Sequence, residues 1–448
     1  SFSKHKIRVK VEDYKDNLEQ LRNYPREVKV LRAYFHFELL KRYQNIFYVN
    51  KVIDPFNQDE IYSIAQSTFK EAVEFIVNDC DSATKYLPIA ITAKEEYGRP
   101  SKAASMTLKS RLLLYAASPL NNPEKDKTLW ERAEVAAKAV YDMKDELKIG
   151  LLDKGNYGKI FTDLYNKEII FATKAEETKK IEEYNFPISY QGKGLTNPTQ
   201  NLVDCYAMNN SPYSDPMRNF DPENPYVGRE ARFTATILYN GATFKDSQVE
   251  TFVGGKDGLY STSTATKTGY YLRKFIAPAI SLEKSDEVAR RWVIFRYAEV
   301  ILNYAEARNE VLDNPNDKTL HGLLNEIRKR AGLREFANAT QYIKDKDEMR
   351  DYIKKERRVE FALEEHRFWD LRRWEDLEEL QKPINGMKIE RTQTGVDAEN
   401  QPVYKFTYTP FEVETRYFDS KFYWYPIPRG EVLKYRNKGI DVTQNPGW

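Results

Sequence analysis

The first residues to consider are those whose chemistry could support catalysis, and histidine is scarce among them. The 448-residue chain has four. They are His5, His36, His321 and His366. His366 lies in the segment EEHRFWD, where Glu364 or Asp370 could orient it as a general base. However, this segment places arginine and glutamate at i,i+3 and i,i+4 spacing, so we interpret it as a packed helix with a structural ion-pair network.

Other catalytic signatures are missing from the sequence. There is no HExxH, GxSxG or phosphate-loop pattern. Gly192 and Gly194 have the spacing of a dinucleotide-binding loop, but Asn197 stands where its third glycine belongs. Glycoside hydrolysis needs two carboxylates on opposite sides of the scissile bond. The chain has 68 Asp and Glu residues, so a candidate pair can always be found and its presence gives no evidence for this activity. We predict no catalytic residue, with a helical glycosidase as the alternative.

Metal and cofactor sites lack their usual ligands. Cys80 and Cys205 are the only cysteines, with no CxxC pair and no Cys/His cluster. A disulfide between them stays open, although lone cysteines more often act as small buried apolar residues. We predict no metal ligand and no cofactor, and leave open a structural calcium ion in the loops.

Charge and hydropathy exclude further classes. Basic and acidic residues nearly cancel, 70 against 68, which argues against a nucleic-acid partner because such proteins carry a basic excess. No apolar run approaches the roughly 20 residues that span a bilayer. The opening residues, SFSKHKIRVK, do not form a signal peptide because they lack an apolar core.

The residues best suited to binding are aromatic. They make up 13% of the chain, and tyrosine alone occurs 31 times. A flat ring can cover the C–H face of a pyranose while amides and carboxylates bond its hydroxyl rim. Tyr226 lies in a turn-rich stretch that favours a packing role. The predicted ligand-binding residues are Tyr184, Phe186, Tyr190, Tyr213, Phe220, Phe244, Phe252 and Tyr260.

Helices must position these rings. Apolar periodicity predicts helices at 28–44, after Pro25, and at 59–87, 101–118 and 128–146. Small residues such as Ala103 and Ala116 alternate with bulky ones such as Leu112, which lets neighbouring helices approach closely. Helical hairpins of this length resemble a tetratricopeptide stack, although generic bundle packing explains the pattern equally well.

The remaining chain divides into three parts. Gly, Pro, Asn and Asp are frequent over 151–290, which predicts a loop-rich ligand-binding insertion with short strands at 168–173 and 233–239. Helices return at 295–311, at 319–331 with Gly332 as C-cap, and at 347–380 as one or two helices. The tail, 381–448, alternates like strands at 404–408 and 422–425.

We therefore predict a mostly α fold, a single unit over 1–448. Tetratricopeptide-like helical hairpins over 25–150 and 291–380 carry the loop-rich insertion and a few short strands.

Several segments, in this order, resemble the SusD/RagB family of outer-membrane nutrient-binding lipoproteins. They are LRAYFHFELLKRY (31–43), GRPSKAASMTLKSRLLLYAASP (98–119), NPTQNLVDCYAM (197–208), DPENPYVGREARFTATILYNG (221–241), TGYYLRKF (268–275), RYAEVILNYAEARNE (296–310), ERRVEFALEEHRFWDLRRW (356–374) and TQNPGW (443–448). The resemblance implies a SusD-like helical scaffold without catalytic activity. It also implies that the chain captures oligosaccharide, or sometimes peptide, for a SusC-type TonB-dependent transporter at the cell surface.

One departure from the family concerns the membrane. Family members begin with a signal peptide and a lipidated cysteine, whereas the first cysteine here is Cys80, inside a predicted helix. We expect that the printed sequence is shortened at its start, and that membrane attachment depends on an N-terminal lipid anchor absent from this sequence. A protein-interaction scaffold without a small ligand remains the third hypothesis.

Overall fold

The computed structural model describes residues 18–91, 94–336 and 343–448. His5 and the other residues of 1–17 lie outside the described residues. The helices before the insertion are α1 (Leu18–Tyr43), α2 (Gln58–Tyr62), α3 (Phe69–Thr84), α4 (Lys102–Ala117) and α5 (Lys127–Asp142). The two-residue strands β1 (Ile46–Phe47) and β2 (Gln66–Ser67) precede and follow α2 in the sequence and pair antiparallel with each other.

Two of the predicted helix boundaries are wrong. Pro25 lies inside α1 rather than at its start, because a proline removes one helical hydrogen bond without always ending the helix. The predicted helix 59–87 is interrupted between α2 and α3. Thr68 starts α3 instead, since its hydroxyl accepts from the Glu71 backbone N–H while the Glu71 carboxylate accepts from the Thr68 N–H.

The start of α4 is confirmed. The Ser101 hydroxyl accepts from the Ala104 backbone N–H, as the Ser101 cap predicted. Nearly every position of α4 is buried, because α3 and α5 pack on it from two sides. The small side chains Ala103 and Ala104 allow this close approach.

The insertion is built from short elements joined by loops. The strands are β3 (Ile169–Ala172), β4 (Glu176–Thr178), β5 (Ile237–Leu238), β6 (Thr243–Phe244), β7 (Ser247–Gln248), β8 (Tyr271–Leu272), β9 (Val288–Arg290) and β10 (Val293–Arg296). They form antiparallel pairs, β3 with β10, β4 with β9, β5 with β8 and β6 with β7. The helices are α6 (Lys180–Asn185), α7 (Gln200–Val203) and α8 (Ala231–Thr236). The strand predicted at 233–239 is therefore mostly helix, and only its last part pairs as a strand.

The insertion leaves the helical stack after α5 and returns to it at α9 (Tyr297–Val311). Helix α9 packs directly against α5 although more than 150 residues separate them in the sequence. Val140 of α5 shares a fully buried apolar cluster with Ala298 and Ile301 of α9. The predicted mostly helical scaffold with a loop-rich insertion is thus confirmed.

Helix α9 also packs against α10 (Lys318–Ala331) and α11 (Lys346–Glu360). Gly332 ends α10 with a left-handed φ of 80°, as predicted. The predicted segment 347–380 contains three helices rather than one or two. The second and third are α12 (His366–Arg373) and α13 (Leu377–Gln381), and left-handed residues Leu363 and Glu365 break the chain direction between α11 and α12.

The tail forms a long antiparallel hairpin, β11 (Ile384–Val396) with β12 (Pro402–Glu414), followed by α14 (Arg429–Arg436). The strand predicted at 404–408 belongs to β12. The strand predicted at 422–425 is wrong, because the chain forms a 3₁₀ turn at Ser420–Tyr423 that the Asp419 carboxylate caps. Among the described helices, none is both long and apolar enough to cross a bilayer.

Candidate functional site

A buried cluster of charged side chains joins the insertion to the helices. We call it the charged core. Its cations are Arg232, Lys274, Arg296 and Arg330, and its anions are Glu168, Glu230, Glu356, Glu360 and Glu364. Arg232 and Lys274 come from the insertion, whereas Glu356 and Glu360 come from α11. The charged core therefore fixes the loop region on the scaffold.

Arg296, at the end of β10, is the centre of the charged core. Its guanidinium donates to Glu168 at 2.9 Å, to Glu360 at 2.6 Å and to both carboxylate oxygens of Glu364, at 2.7 and 2.8 Å. Burial alone would raise the pKa of Glu360, but the nearby arginines outweigh it and hold that pKa well below its usual range. Burial lowers the pKa of Lys274 to about 8, although its ammonium donates to Glu364 at 2.6 Å.

A second buried group supports α12. Arg373 donates to the Glu306 carboxylate, and the indole N–H of Trp374 donates to the same carboxylate at 2.7 Å. Arg357 reaches Asp370 at 3.0 Å across the break between α11 and α12. The ion pairs predicted for this segment are therefore present, but several connect different elements rather than neighbouring turns of one helix.

His366 belongs to this packing. Its ring stacks on Phe361 with 4.3 Å between ring centroids. Burial, together with the nearby positive charge of Arg111, holds the pKa of His366 well below its usual range. This placement agrees with the structural role predicted for the segment.

Three of the predicted ligand-binding rings are buried. Phe186, Phe244 and Phe252 are at most 4% exposed. Phe186 and Phe244 pack edge to face, and Phe252 packs against Phe406 of β12. A ring enclosed on both faces has no surface for a sugar, so the prediction is wrong for these three residues. Tyr226 is buried too, as its predicted packing role requires.

Tyr190 and Tyr213 are half-buried and already have partners. The Tyr190 hydroxyl donates to the Phe244 carbonyl at 2.7 Å. The Tyr213 ring packs edge to face on Tyr352, and its hydroxyl donates to Glu348 at 3.2 Å. These contacts hold the two loops against neighbouring segments of the fold. Part of each ring remains exposed and could contact a ligand.

Tyr184 and Phe220 are exposed at separate points of the insertion. The Lys193 ammonium lies 4.9 Å from the Tyr184 ring centroid, and the Arg229 guanidinium lies 4.9 Å from that of Phe220. A cation therefore covers one face of each ring, and the rest of the ring is exposed to solvent.

Tyr260 differs from the other predicted residues. Its side chain is 80% exposed, and its backbone has a left-handed φ of 68°. For a bulky residue this conformation costs about 1–3 kcal/mol, and such strain is concentrated at ligand-binding positions. The exposed hydroxyl residues Ser261, Thr262, Ser263 and Thr264 follow it directly.

The base of this loop is rigid. The buried Asp257 carboxylate accepts from the Ser189 backbone N–H at 2.9 Å. The Tyr271 hydroxyl donates to the Asp257 carbonyl at 3.0 Å, and Ser261 closes a turn onto Gly258. We call residues 257–265 the Tyr260 loop. It presents a ring and a row of hydroxyls on a fixed base.

The sequence did not reveal a cleft of about 630 Å³ between helices. The connection between α4 and α5, the end of α9 and the start of α11 form its walls, with Trp130 and Trp374 among the lining residues. Four acids line it, Glu306, Glu310, Asp347 and Glu375, and the first two pair with Arg373 and Arg350. Because its residues are distant in the sequence, only helix packing brings them together.

Another feature missed from the sequence is the exposed segment between β1 and α2. Val52 and Phe56 there are 88% and 92% exposed. Their high exposure follows from a connection that projects from the scaffold rather than packing on it.

Metal-binding groups are not apparent in residues 18–91, 94–336 and 343–448. In these ranges no three His, Cys, Asp or Glu side chains are grouped so that they could hold an ion. Cys80 is buried and Cys205 half-buried, and both are free thiols.

Comparisons with known sequences give a consistent family. A sequence model described as the SusD family matches residues 165–448. A second, described as starch-binding associating with outer membrane, matches residues 7–114. SusD-like protein P38 of Formosa agariphila is 39% identical over 103 residues, which is 22% of this chain and 20% of that protein. SusD-like protein P2 of the same bacterium is 22% identical over 93% of this chain and 72% of its own length.

Solved structures show the same fold. A SusD-like protein of Bacteroides fragilis is 29% identical, with a TM-score of 0.74 over 94% of this chain and 79% of that one. A SusD-like carbohydrate-binding protein of the same species is 24% identical, with a TM-score of 0.72 over 94% and 79% of the two chains.

Proposed function

The chain belongs to the SusD family, and we propose that it binds oligosaccharides at a bacterial cell surface and delivers them to a SusC-type TonB-dependent transporter. Support comes from the outer-membrane, starch-binding description of the model that matches residues 7–114. It also comes from the carbohydrate-binding protein that shares the fold.

The observation that carries the binding proposal is the Tyr260 loop. A side chain that is 80% exposed gains nothing from core packing, yet its backbone is held at a strained φ by a hydrogen-bonded base. Strain of this kind persists only where the surroundings impose it, and it fixes the backbone from which the ring projects. A backbone that is already fixed loses little further entropy when a sugar stacks on the ring.

The neighbouring groups suit a sugar. A pyranose offers an apolar C–H face to the Tyr260 ring, and the hydroxyls at residues 261–264 can donate to or accept from its rim. Tyr184 and Phe220 provide further exposed rings for longer chains. In this mode a bound oligosaccharide lies on a surface rather than in a deep pocket.

The proposed activity is binding without bond cleavage. A glycosidase needs one protonated and one ionised carboxyl group across the substrate. In the helical cleft, Arg373 outweighs the effect of burial and lowers the pKa of Glu306, so this carboxyl group is not a proton donor. His36 is bound through both ring nitrogens, to the Arg32 carbonyl and the Val49 N–H.

A titration with matched variants tests the binding proposal. Purified chain is titrated by calorimetry with neutral oligosaccharides such as maltohexaose, cellohexaose and xylohexaose. Tyr260→Ala should weaken binding of the preferred sugar about tenfold, a loss of about 1.4 kcal/mol. The control is Tyr417→Ala, because Tyr417 is 79% exposed, outside the insertion, and matches Tyr260 in type and exposure.

Three results would contradict the proposal. Equal affinity of both variants for the sugar would show that Tyr260 is not part of the binding site. Shortening of the sugar by the purified chain would indicate a glycosidase. Binding of peptides alone would replace the sugar with a peptide ligand, the alternative that the family resemblance also implies.

We propose further that binding requires no cofactor and that the chain is attached to the outer membrane by an N-terminal lipid. The affinity should be the same in EDTA, and a loss there would indicate a calcium ion in the loops. The gene's full product, expressed in a SusC-carrying bacterium, should incorporate labelled palmitate and copurify with the transporter. A stable protein complex with flat sugar and peptide titrations would favour the interaction-scaffold hypothesis.

A further inference from the structure

A second concave site lies along β3. We call it the basic pocket. Its volume is about 200 Å³. The segment before α4, the loop after α5, the loop before β3, β3 itself and Arg291 directly after β9 form its walls. Its charged lining residues are Arg99, Lys148, Lys167 and Arg291.

The charged lining residues of this pocket are all basic. Among its described lining residues there are four cations and neither an aspartate nor a glutamate. Arg99 is neutralised by Glu27, at 2.8 Å to both carboxylate oxygens. Lys148 and Lys167 have no ion pair within the described part of the chain. The pocket therefore carries an excess of positive charge, unlike the charged core, where each cation contacts a carboxylate.

Arg291 is oriented by aromatic rings rather than by an acid. Its guanidinium lies 5.0 Å from the Tyr97 ring centroid and 5.1 Å from that of Tyr165. These two rings pack edge to face at 4.8 Å. The only hydrogen bond of the guanidinium to described residues is a long one, 3.5 Å to the Thr173 carbonyl, and its Nε is buried without a partner.

Apart from that long bond, the two terminal NH₂ groups of the guanidinium have no hydrogen bond to described residues. The rings hold the guanidinium by cation–π contact, and its terminal N–H groups can donate to an oxyanion. Near the pocket, the Lys94 ammonium lies 5.1 Å from the Tyr165 ring, in a short turn that also contains Glu96. A volume of about 200 Å³ accommodates one anionic substituent and part of the sugar that bears it.

We propose that the basic pocket binds a carboxylate or sulfate group of an acidic oligosaccharide, with Arg291 as its principal contact. The inference rests on the proposed oligosaccharide-binding function and adds the substrate class, namely uronate-containing or sulfated glycans. Arg291 and the two lysines supply the charge, and Tyr97 and Tyr165 supply ring surface beside it.

The test compares acidic and neutral sugars on the full chain. Tetragalacturonate and a sulfated carrageenan tetrasaccharide are the acidic probes, and cellotetraose and maltotetraose are the neutral ones. At 20 mM NaCl, Arg291→Gln should weaken binding of at least one acidic probe about tenfold, a loss of about 1.4 kcal/mol. Raising NaCl to 500 mM should weaken wild-type binding of that probe, because salt screens partly exposed charges.

Matched variants separate charge recognition from folding. Arg436→Gln, at an exposed arginine of α14 without an ion pair in residues 18–91, 94–336 and 343–448, should bind the acidic probe like wild type. Lys167→Gln provides a second variant in case Arg291→Gln fails to fold, and it should show a smaller loss. The group that Arg291 recognises is identified by which acidic probe, the carboxylate or the sulfate, loses affinity.

The inference is overturned if the acidic probes bind no better than neutral ones, or if Arg291→Gln and Lys167→Gln bind them like wild type. In that case Tyr260-dependent binding of neutral sugars would still support the proposed function. Binding of an Asp- and Glu-rich peptide but of no oligosaccharide would overturn both proposals.

Discussion

The charged core and the Tyr260 loop are held in place by opposite means. The charged core is buried except at Glu364, which is partly exposed, and each of its cations contacts at least one carboxylate. Removal of one buried member therefore leaves uncompensated charge in a dry environment. The Tyr260 ring is exposed and its removal uncovers nothing. Under the proposed function, stability and ligand binding therefore depend on different residues: the charged core stabilises the fold and the Tyr260 loop contacts the sugar.

The largest predicted effect is on the charged core. Arg296→Met removes the cation that contacts three glutamates, and we expect a loss of about 3–5 kcal/mol in the free energy of unfolding. Urea denaturation followed by circular dichroism measures it. The control is Arg218→Met, whose ion pair with Asp215 is about half exposed and should contribute little. Equal urea midpoints for both variants would show that the charged core does not stabilise the contact between the insertion and the helices.

The next effect compares two aromatic residues that the sequence did not distinguish. Phe244 is 2% exposed and Tyr260 80%. Phe244→Ala should lower the free energy of unfolding by about 3 kcal/mol, because it opens a cavity in the core. Tyr260→Ala should leave the denaturation midpoint nearly unchanged. The reverse order would place Phe244, rather than Tyr260, at the surface of the folded protein.

A smaller effect tests backbone strain at the break between α11 and α12. Glu365 is exposed, has a left-handed φ of 67° and makes no side-chain capping bond. Glu365→Gly should raise the free energy of unfolding by about 0.5–1 kcal/mol, since glycine adopts this conformation without a steric penalty. Glu365→Ala is the matched control and should give no gain. A gain in both variants would point to removal of charge instead of strain.

The smallest effect is a dependence on mild acid. The pKa of Glu360 is well below its usual range in the folded chain, so below about pH 4.5 the unfolded chain binds more protons. Stability from this group is therefore full above that pH and decreases as the pH falls. From about pH 5 down to about pH 3.5 the urea midpoint of wild type should fall, and that of Glu360→Gln should fall less steeply. Parallel slopes would show that another group dominates.

The sequence predicted the scaffold better than the site. The Ser101 cap, the Gly332 C-cap and the alternation of small and large residues in α4 act locally, so each could be read from nearby residues. The return of a helix after the insertion was predicted from the renewed helical pattern at 295–311, whereas the packing of α9 against α5 was not predicted. The break at Thr68 was missed because a capping box is a short signal inside a long apolar pattern.

The site depended on contacts that no local pattern encodes. Phe186, Phe244 and Phe252 occupy glycine- and asparagine-rich stretches just as Tyr260 does, and only the packing of distant segments decides which ring is enclosed. The basic pocket is a stronger case, because Tyr97, Tyr165 and Arg291 are far apart in the sequence. In the sequence its lysines cannot be told from ordinary surface lysines. Only the structure shows that no acid is among the described residues that line the pocket with them.

The central claim is that sugar stacks on the Tyr260 loop of the insertion rather than entering the cleft between the helices. Hydrogen–deuterium exchange with and without a saturating oligosaccharide tests this most directly. The account predicts slower exchange in peptides covering the Tyr260 loop, residues 257–265, and unchanged exchange at Trp130 and over 346–354 in the helical cleft. Protection confined to the helical cleft, with the Tyr260 loop unchanged, would contradict it.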